Sequence, residues 1–427
     1  MKKFLFLILP IVLFGKSFLI SNIPIPKTYI QNLDPYECNE RCMQEYLDNG
    51  MIFSFLAYAD SKLENEEQEE IRMMNIAILN LGSHIISDKL KIALLLPYNI
   101  IGKYAASTTN ATFAYFIAKN RAFELKSYQI STESIENIAK ALKKIQNDGF
   151  YYVIAPLTQE GSDAVSKINP EMNIYFPTIN KKDVEETSSY LYYGGIDYKL
   201  QSDLLLKEAV SPLIVFYDNS TIGKNLALYQ EERFKYTDVI EATATGEADI
   251  FNAYVQEPKK ILDKDKSVVK FVIPKRTTNL ENELKENENI QQGSFFLNTP
   301  IVKSAMIMSQ LTLYDTNATN VLSTQINYDP LLLSMTQYRD RKSMIVANSI
   351  TQNSNVLIEI NSLLGNDIVY DWINYTTTVG IDFFFNQITK DDREYNIKVE
   401  DNQMIYTIEL LKPSLSRFIK YELSNEE

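Results

Sequence analysis

The chain has 427 residues, enough for two or three compact units with substantial cores. Hydrophobic residues make up 45% and charged residues 23%, an ordinary globular mix, and only 13 glycines leave little room for glycine-dependent phosphate loops. The formal net charge of −13 is not gathered in one tail, and an acidic surface repels phosphate backbones and anionic headgroups, which argues against nucleic acid as a partner.

Residues 1–17, "MKKFLFLILPIVLFGKS", place Lys2 and Lys3 before an apolar run from Phe4 to Phe14. Gly15 and Ser17 suit the small positions before a cleavage site, so a signal peptide cut after Ser17 is expected. The run is too short to span a bilayer, and no later segment approaches about eighteen uninterrupted apolar residues. An exported, periplasmic and soluble chain without a transmembrane anchor follows as an expectation.

Residues 18–34 form an extended lead-in carrying Pro24 and Pro26. The only cysteines, Cys38 and Cys42 in "ECNERC", come next. An isolated pair in an oxidising compartment bonds to itself, yet side chains four apart on a regular helix have Cβ atoms about 5–6 Å apart, where a disulfide wants roughly 3.8 Å. The pair must sit at a distorted helix start, stay reduced or bond between molecules. An intrachain disulfide is the expectation. Zinc is poorly served, since His84 is the only histidine.

Residues 35–86 read as a small helical module. Acidic "LENEEQEEI" suits a helix start, Ile71, Met74, Ile78 and Leu81 fall on one face, and Gly82 is placed to end it. From Leu90 strands and helices alternate: "KIALLLP" a strand, Ala105 to Lys119 a helix, "AFELKSYQI" a strand. Then come a helix from Glu133 to Asp148, the strand "FYYVIAPL", the helix "EGSDAVSKI" and the strand "NIYFPTI". The alternation restarts through "PLIVFYDN", "STIGKNLALYQEERF", "SVVKFVI" and "GSFFLNT". "NVLSTQINYDPLLL" and "KSMIVANSI" read as segments returning to the first lobe, and "EPKKILDKDK" and "NLENELKENEN" as solvated faces or loops. The end, "YNIKVEDNQMIYTIELLKP", reads as an antiparallel hairpin around Asp401 and Asn402. The pattern predicts an α/β fold of parallel sheets covered by helices. Residues 89–190 form one lobe, joined by segments from about 318–427, and residues 191–317 a second.

Ligands on such sheets sit at the carboxyl ends of the strands. That places Tyr98, Asn99, Thr158, Gln159, Thr178 and Asn180 at the presenting edge.

These residues resemble the type 1 periplasmic-binding-protein fold of amino-acid-binding proteins and penicillin-binding-protein activators. The likeness rests on "IALLLP" with its Gly102 loop, "YYVIAPLTQEGSDAV", "IYFPTIN" and "PLIVFYDNSTIGKNL", and covers roughly residues 90–350. It implies two α/β lobes joined by crossover strands, with a cleft that closes over a small polar solute or presents a surface to a protein. Solute-binding members often grip a ligand carboxylate with a Gly/Ser-rich loop after the first strand, where this chain has the bulkier "YNIIGKYAAST". Asp197 and Asp218 are the acids available for a ligand ammonium. The helical segment before Leu90 parallels the activators, whose partner is a cell-wall synthase.

Sequence signs of catalysis are lacking. His84 precedes the first strand, and no G-x-S-x-G, H-E-x-x-H, G-x-x-x-x-G-K-[ST] or G-x-G-x-x-G after a strand occurs. No catalytic residue, metal site or cofactor is therefore expected. If a solute is bound, Thr158, Ser162, Thr178, Tyr217 and Asn298 are the candidate contacts. "YYGGIDY" either lines the cleft or packs a crossover hinge, and Asn298 in "LNTP" either offers a polar contact or caps a turn. "DTNAT" makes Asn317 a glycosylation candidate with an acid two residues upstream. The expectation is a non-enzymatic periplasmic adaptor recognising a protein of the cell envelope. Capture of a small polar solute such as an amino acid for a transporter is the alternative, and an enzyme on wall or sugar polymers is the third reading.

Overall fold

The computed structural model describes residues 30–79, 81, 90–119, 121–185, 187–239 and 259–422. The expected signal peptide, most of the lead-in, Gly82 and His84 lie outside them. The chain divides into two compact units, residues 1–90 with 122–126 and residues 91–121 with 127–427.

The first unit holds helices α1 (Glu40–Asp48), α2 (Ile52–Tyr58) and α3 (Glu66–Ile78). Asn39 caps α1, its side chain accepting from the Cys42 N–H at 3.0 Å. Cys38 precedes that cap, so the Cys38–Cys42 disulfide, with Cα atoms 5.3 Å apart, ties the entering chain to the first helical turn. The helical-face objection lapses because only one of the two cysteines is on the helix. Phe55, Leu56 and Ala59 form the core, joined by Ile71, Ile76, Leu79 and Leu81. Met74 and Ile78, expected on the buried face, are 53% and 69% exposed. The seam runs instead through buried Gln68, whose amide donates to Gln44 Oε1 at 3.0 Å, and a polar residue at a seam position hides the true face.

Beyond these helices the described chain forms two seven-stranded sheets. The first contains β1 (Leu90–Leu96), β2 (Phe123–Gln129), β3 (Tyr152–Ile154), β4 (Asn173–Phe176) and β5 (Leu191–Tyr193), with β13 (Lys398–Glu400) and β14 (Gln403–Ile405), in the order β13–β14–β5–β4–β3–β1–β2. The second contains β6 (Leu213–Tyr217), β9 (Val268–Val272), β10 (Ser294–Asn298), β11 (Asn320–Ser323), β12 (Met344–Asn348), β15 (Glu409–Pro413) and β16 (Phe418–Lys420), in the order β16–β15–β12–β11–β10–β6–β9. Helices cover both sides of a parallel sheet, so its central strands bury both faces; Ile92 to Leu96 of β1 are all fully or nearly fully buried. The longer helices are α4 (Lys103–Lys119), α5 (Ile135–Asn147), α6 (Gln159–Ile168), α7 (Tyr198–Leu206), α8 (Thr221–Lys235), α9 (Ile301–Leu313), α10 (Asn355–Leu363) and α11 (Trp372–Thr389).

Two sequence boundaries move. Leu191–Tyr193, expected to open the second lobe, pairs in parallel with β4, Tyr175 opposite Tyr192. Residues 320–323 and 344–348, expected to return to the first lobe, are β11 and β12 of the second sheet. A buried parallel strand reads the same in either sheet, so hydrophobicity alone does not assign it. The chain returns later: α10 and α11 pack beside α4, and β13 and β14 extend the first sheet before β15 rejoins the second. The β13–β14 hairpin turns at Asp401 and Asn402, with φ of 48° and 62°. Part of "EPKKILDKDK", expected to be solvated or looped, forms β8 (Lys259–Leu262) against β7 (Tyr236–Val239).

Candidate functional site

At the carboxyl edge of the first sheet, Thr158 is the N-cap of α6. Its hydroxyl does not cap the helix. It donates to Glu133 Oε2, while its N–H donates to Glu133 Oε1 at 3.0 Å. Glu133 enters from the β2–α5 connection and is 5% exposed. Gly161 makes room for it, since a Cβ there would lie 2.6 Å from Glu133 Oε2. The start of α6, where helix dipole and open N–H groups favour an anion, is thus filled by the protein's own carboxylate. Ser162 is fully buried and donates to Gln159 O at 2.8 Å, so it does not face a ligand. Thr178, after β4, is exposed. Asn180 is buried and donates to Gly195 O at 3.2 Å.

On the second sheet, Tyr217 and Asn298 are register partners at the ends of β6 and β10. Tyr217 is half-buried, whereas Asn298 is 2% exposed. Asn298 exchanges amide hydrogen bonds with Gln230 of α8, at 2.7 and 3.1 Å, and Gln230 also donates to Ser202 Oγ at 3.1 Å. The candidate contacts therefore fall into separate groups: Thr158 with Ser162 on one helix start, Tyr217 with Asn298 across two strands, and Thr178 apart.

The two acids are also committed locally. Asp197 caps α7 by accepting from the Leu200 N–H at 2.9 Å and pairs with Lys182. Asp218 accepts from the N–H of Ser220 at 3.1 Å and from its hydroxyl. Nearby, burial pushes the Asp183 carboxyl up from its ordinary value, Lys199 opposes the shift and Asp197 adds to it. Among the described residues no group of three His, Cys, Asp or Glu side chains is placed to hold a metal, and no helix is long and apolar enough to cross a membrane. Two cavities of about 330 Å³ lie elsewhere, one in the first unit beside Cys38 and Lys126, the other beside Asp203, Tyr229 and Arg233.

No protein-family model matches the chain, and no curated protein matches it. Solved structures do. A putative branched-chain amino acid ABC transporter protein from Rhodospirillum rubrum superposes with a TM-score of 0.56 at 10% identity, covering 78% of this chain and 100% of that one. A solute-binding protein from Rhodopseudomonas palustris BisB5, in complex with 3,4-dihydroxybenzoic acid, gives 0.54 at 12% identity over 78% of this chain and 96% of that one. Full-length LpoA from Haemophilus influenzae gives 0.50 at 11% identity, over 89% of this chain and 65% of its own. The fold is type 1 periplasmic-binding-protein-like.

In a type 1 fold a hinge would lie at the connections between the two sheets. They run through residues 194–197 after β5, 349–354 after β12 and 406–408 after β14. Thr376 of α11 links two of them: its hydroxyl lies 3.0 Å from Gly194 O, 3.0 Å from Pro177 O and 3.0 Å from the Tyr406 hydroxyl. Tyr175 bonds the same residue, donating to Thr376 O at 2.8 Å. The neighbouring Tyr375 ring meets Tyr395 edge-on at 5.6 Å, and the Tyr395 hydroxyl donates to Asn353 Oδ1 at 3.1 Å, reaching the remaining crossover. "YYGGIDY" packs tightly at the first of these connections: a Cβ on Gly194 would lie 1.9 Å from the Tyr175 hydroxyl, and one on Gly195 2.3 Å from the Ile179 carbonyl carbon.

Glu133 is the residue at this edge that sequence reasoning missed. It read as the first residue of a helix, whereas Ser134 is the N-cap and Glu133 is left to reach α6. Gln201, which donates to Ser349 Oγ at 2.8 Å, and Gln325, whose Oε1 accepts from the Ser349 N–H at 2.6 Å, were equally silent. Their partners are more than a hundred residues away or across the sheet, and no local signal announces them.

Proposed function

We propose that this chain is a non-enzymatic adaptor of the bacterial cell envelope, exported by residues 1–17, that recognises a protein partner through a two-lobed type 1 fold. The observation that carries the reading is the Glu133 carboxylate seated on the N–H and hydroxyl of Thr158. A solute site must leave such donors open to its ligand, because a donor already satisfied inside the protein gains little from a competing anion. The same internal pairing removes Asn298 through Gln230 and Asp197 through Lys182. LpoA, whose C-domain is described as a regulator of PBP1A, is a precedent for a protein of related architecture acting on another protein.

Solute capture is favoured by one observation, the exposure of Thr178 with the half-buried ring of Tyr217. Amino acids and aromatic acids are then the ligand classes that the structurally similar binding proteins suggest.

Native mass spectrometry of the mature protein, taken from its own periplasm, separates the readings. The adaptor reading expects no bound small molecule and a co-purifying protein. A reproducible extra mass of a few hundred daltons, lost in a Thr158→Ala/Tyr217→Ala variant that still folds, would overturn it.

A further inference from the structure

We infer that Asn317 is an N-glycosylation site of the exported protein. Four N-x-[ST] motifs occur, at Asn110, Asn219, Asn317 and Asn374, and their surroundings differ. Asn110 lies in α4 and donates its amide to Leu364 O at 3.2 Å. Asn374 lies in α11, is 3% exposed and donates to Asp367 O at 3.0 Å. Neither offers a free carboxamide. Asn219 and Asn317 are both exposed, and neither carboxamide makes a hydrogen bond among the described residues. Only Asn317 has an acid two positions before it, Asp315, where Asn219 has Tyr217. That gives a transferase a carboxylate on one side of the acceptor and the Thr319 hydroxyl on the other.

The loop from α9 to β11 suits the product. It lies at the amino end of β11, beside residues 291–293 that lead into β10, and so opposite the carboxyl edge where Tyr217 and Asn298 sit. A glycan there would leave the hinge and the candidate binding edge uncovered. The folded loop is fixed by its backbone, through Gln292 N–H to Asn317 O at 2.7 Å and Asn317 N–H to Gln291 Oε1 at 2.9 Å. Thr319 donates its hydroxyl to Gln292 O at 2.6 Å. The Asn317 carboxamide takes part in none of these bonds among the described residues and stays exposed to a transferase on the folded chain.

The donor is a lipid-linked oligosaccharide pyrophosphate. The Asn317 Nδ2 bonds to the anomeric carbon, the bond from that carbon to the pyrophosphate oxygen breaks, the lipid pyrophosphate leaves, and one carboxamide proton passes to base. No oxidant or reductant is needed.

The inference rests on export, and one experiment reads both. Peptide mass spectrometry of protein purified from its own cells should show the residue 317 peptide carrying an oligosaccharide, the Asn219 peptide unmodified, and an N-terminus after Ser17. Asp315→Asn should lose at least about nine-tenths of the occupancy; Asn tolerates the positive φ of 53° at that position, so the loop is kept. Thr319→Ser should retain it. An unmodified Asn317 on a processed chain refutes the site alone, and on a chain still starting at Met1 it refutes export with it. Modification of Asn219 to the same extent refutes the role of Asp315.

Discussion

Gly194→Ala tests the hinge packing most directly. The added Cβ would lie 1.9 Å from the Tyr175 hydroxyl, 2.5 Å from Thr376 Oγ1 and 2.5 Å from Tyr175 Cζ. None of these atoms sits at the end of a flexible chain. Tyr175 and Thr376 are fully buried, and the Tyr175 hydroxyl bonds both the carbonyl and the hydroxyl of Thr376. Overpacking a fixed core costs about 1–3 kcal/mol, and each displaced hydrogen bond about 0.5–1.5 kcal/mol more. A loss of about 3 kcal/mol is expected.

Urea unfolding followed by tyrosine fluorescence measures it as a fall in midpoint at unchanged slope. Tyr175→Phe supplies the control, since it removes the atom nearest the new methyl. The double variant should recover at least about 1 kcal/mol relative to the sum of the single changes, as interacting neighbours do in a mutant cycle. A Gly194→Ala loss below about 0.5 kcal/mol, or strict additivity with Tyr175→Phe, would show that the hinge is not packed as described.

Other changes probe other parts of the chain. Glu133→Ala strands the Thr158 N–H and should cost about 1–3 kcal/mol, partly restored by millimolar acetate but not by chloride at equal ionic strength; unchanged melting would remove Glu133 from the site. Replacing Cys38 and Cys42 by serine opens a five-residue loop and should destabilise the first unit by about 2 kcal/mol, read by hydrogen exchange in α1 and α2 with the second unit as internal reference. Glu69 takes a two-pronged bond from Arg72 at 2.7 and 2.8 Å and another from the Leu63 N–H, which hold its carboxyl down at about 2. A lowered carboxyl stabilises above its unfolded value of about 4.3 and loses that contribution as pH falls towards 2. Arg72→Met should flatten the acid limb of the first unit's stability between those values, and an unchanged limb would count against the pairing.

Much of this architecture is legible in sequence. The buried run of β1, the body of helix α5 with Ile138, Leu142 and Ile145 inward, and the Asp401–Asn402 turn each carry a local cause. Sheet membership does not. β5, β11 and β12 are apolar on both faces wherever they go, and their sheet is set by crossovers tens of residues long. α11 lacks an amphipathic signal because twelve of its eighteen residues are buried, including Thr376, Thr377, Thr378 and Asp382. At the candidate site each residue is polar by type, but whether Thr158 and Asn298 face solvent or a neighbour depends on Glu133 and Gln230, which arrive from other elements.

The closure of the two lobes gives the last expectation. A solute-binding type 1 protein works by bending its crossovers, so those segments must exchange contacts at low cost. Here the first and last crossovers share one hydroxyl, that of Thr376, and Tyr175 locks it from beneath; the middle crossover is held through Tyr395 and Asn353. Bending the first crossover would break the buried Thr376 bond to Gly194 O, and bending the last its part-buried bond to Tyr406, at about 1–3 kcal/mol for each buried group left unpaired. Spin labels at exposed Thr178 and Asn219, on separate sheets, should therefore report one narrow distance distribution that free amino acids leave unchanged. A second, shorter distance on adding a ligand would mean that the hinge bends despite this clamp, and the solute reading would then displace the adaptor.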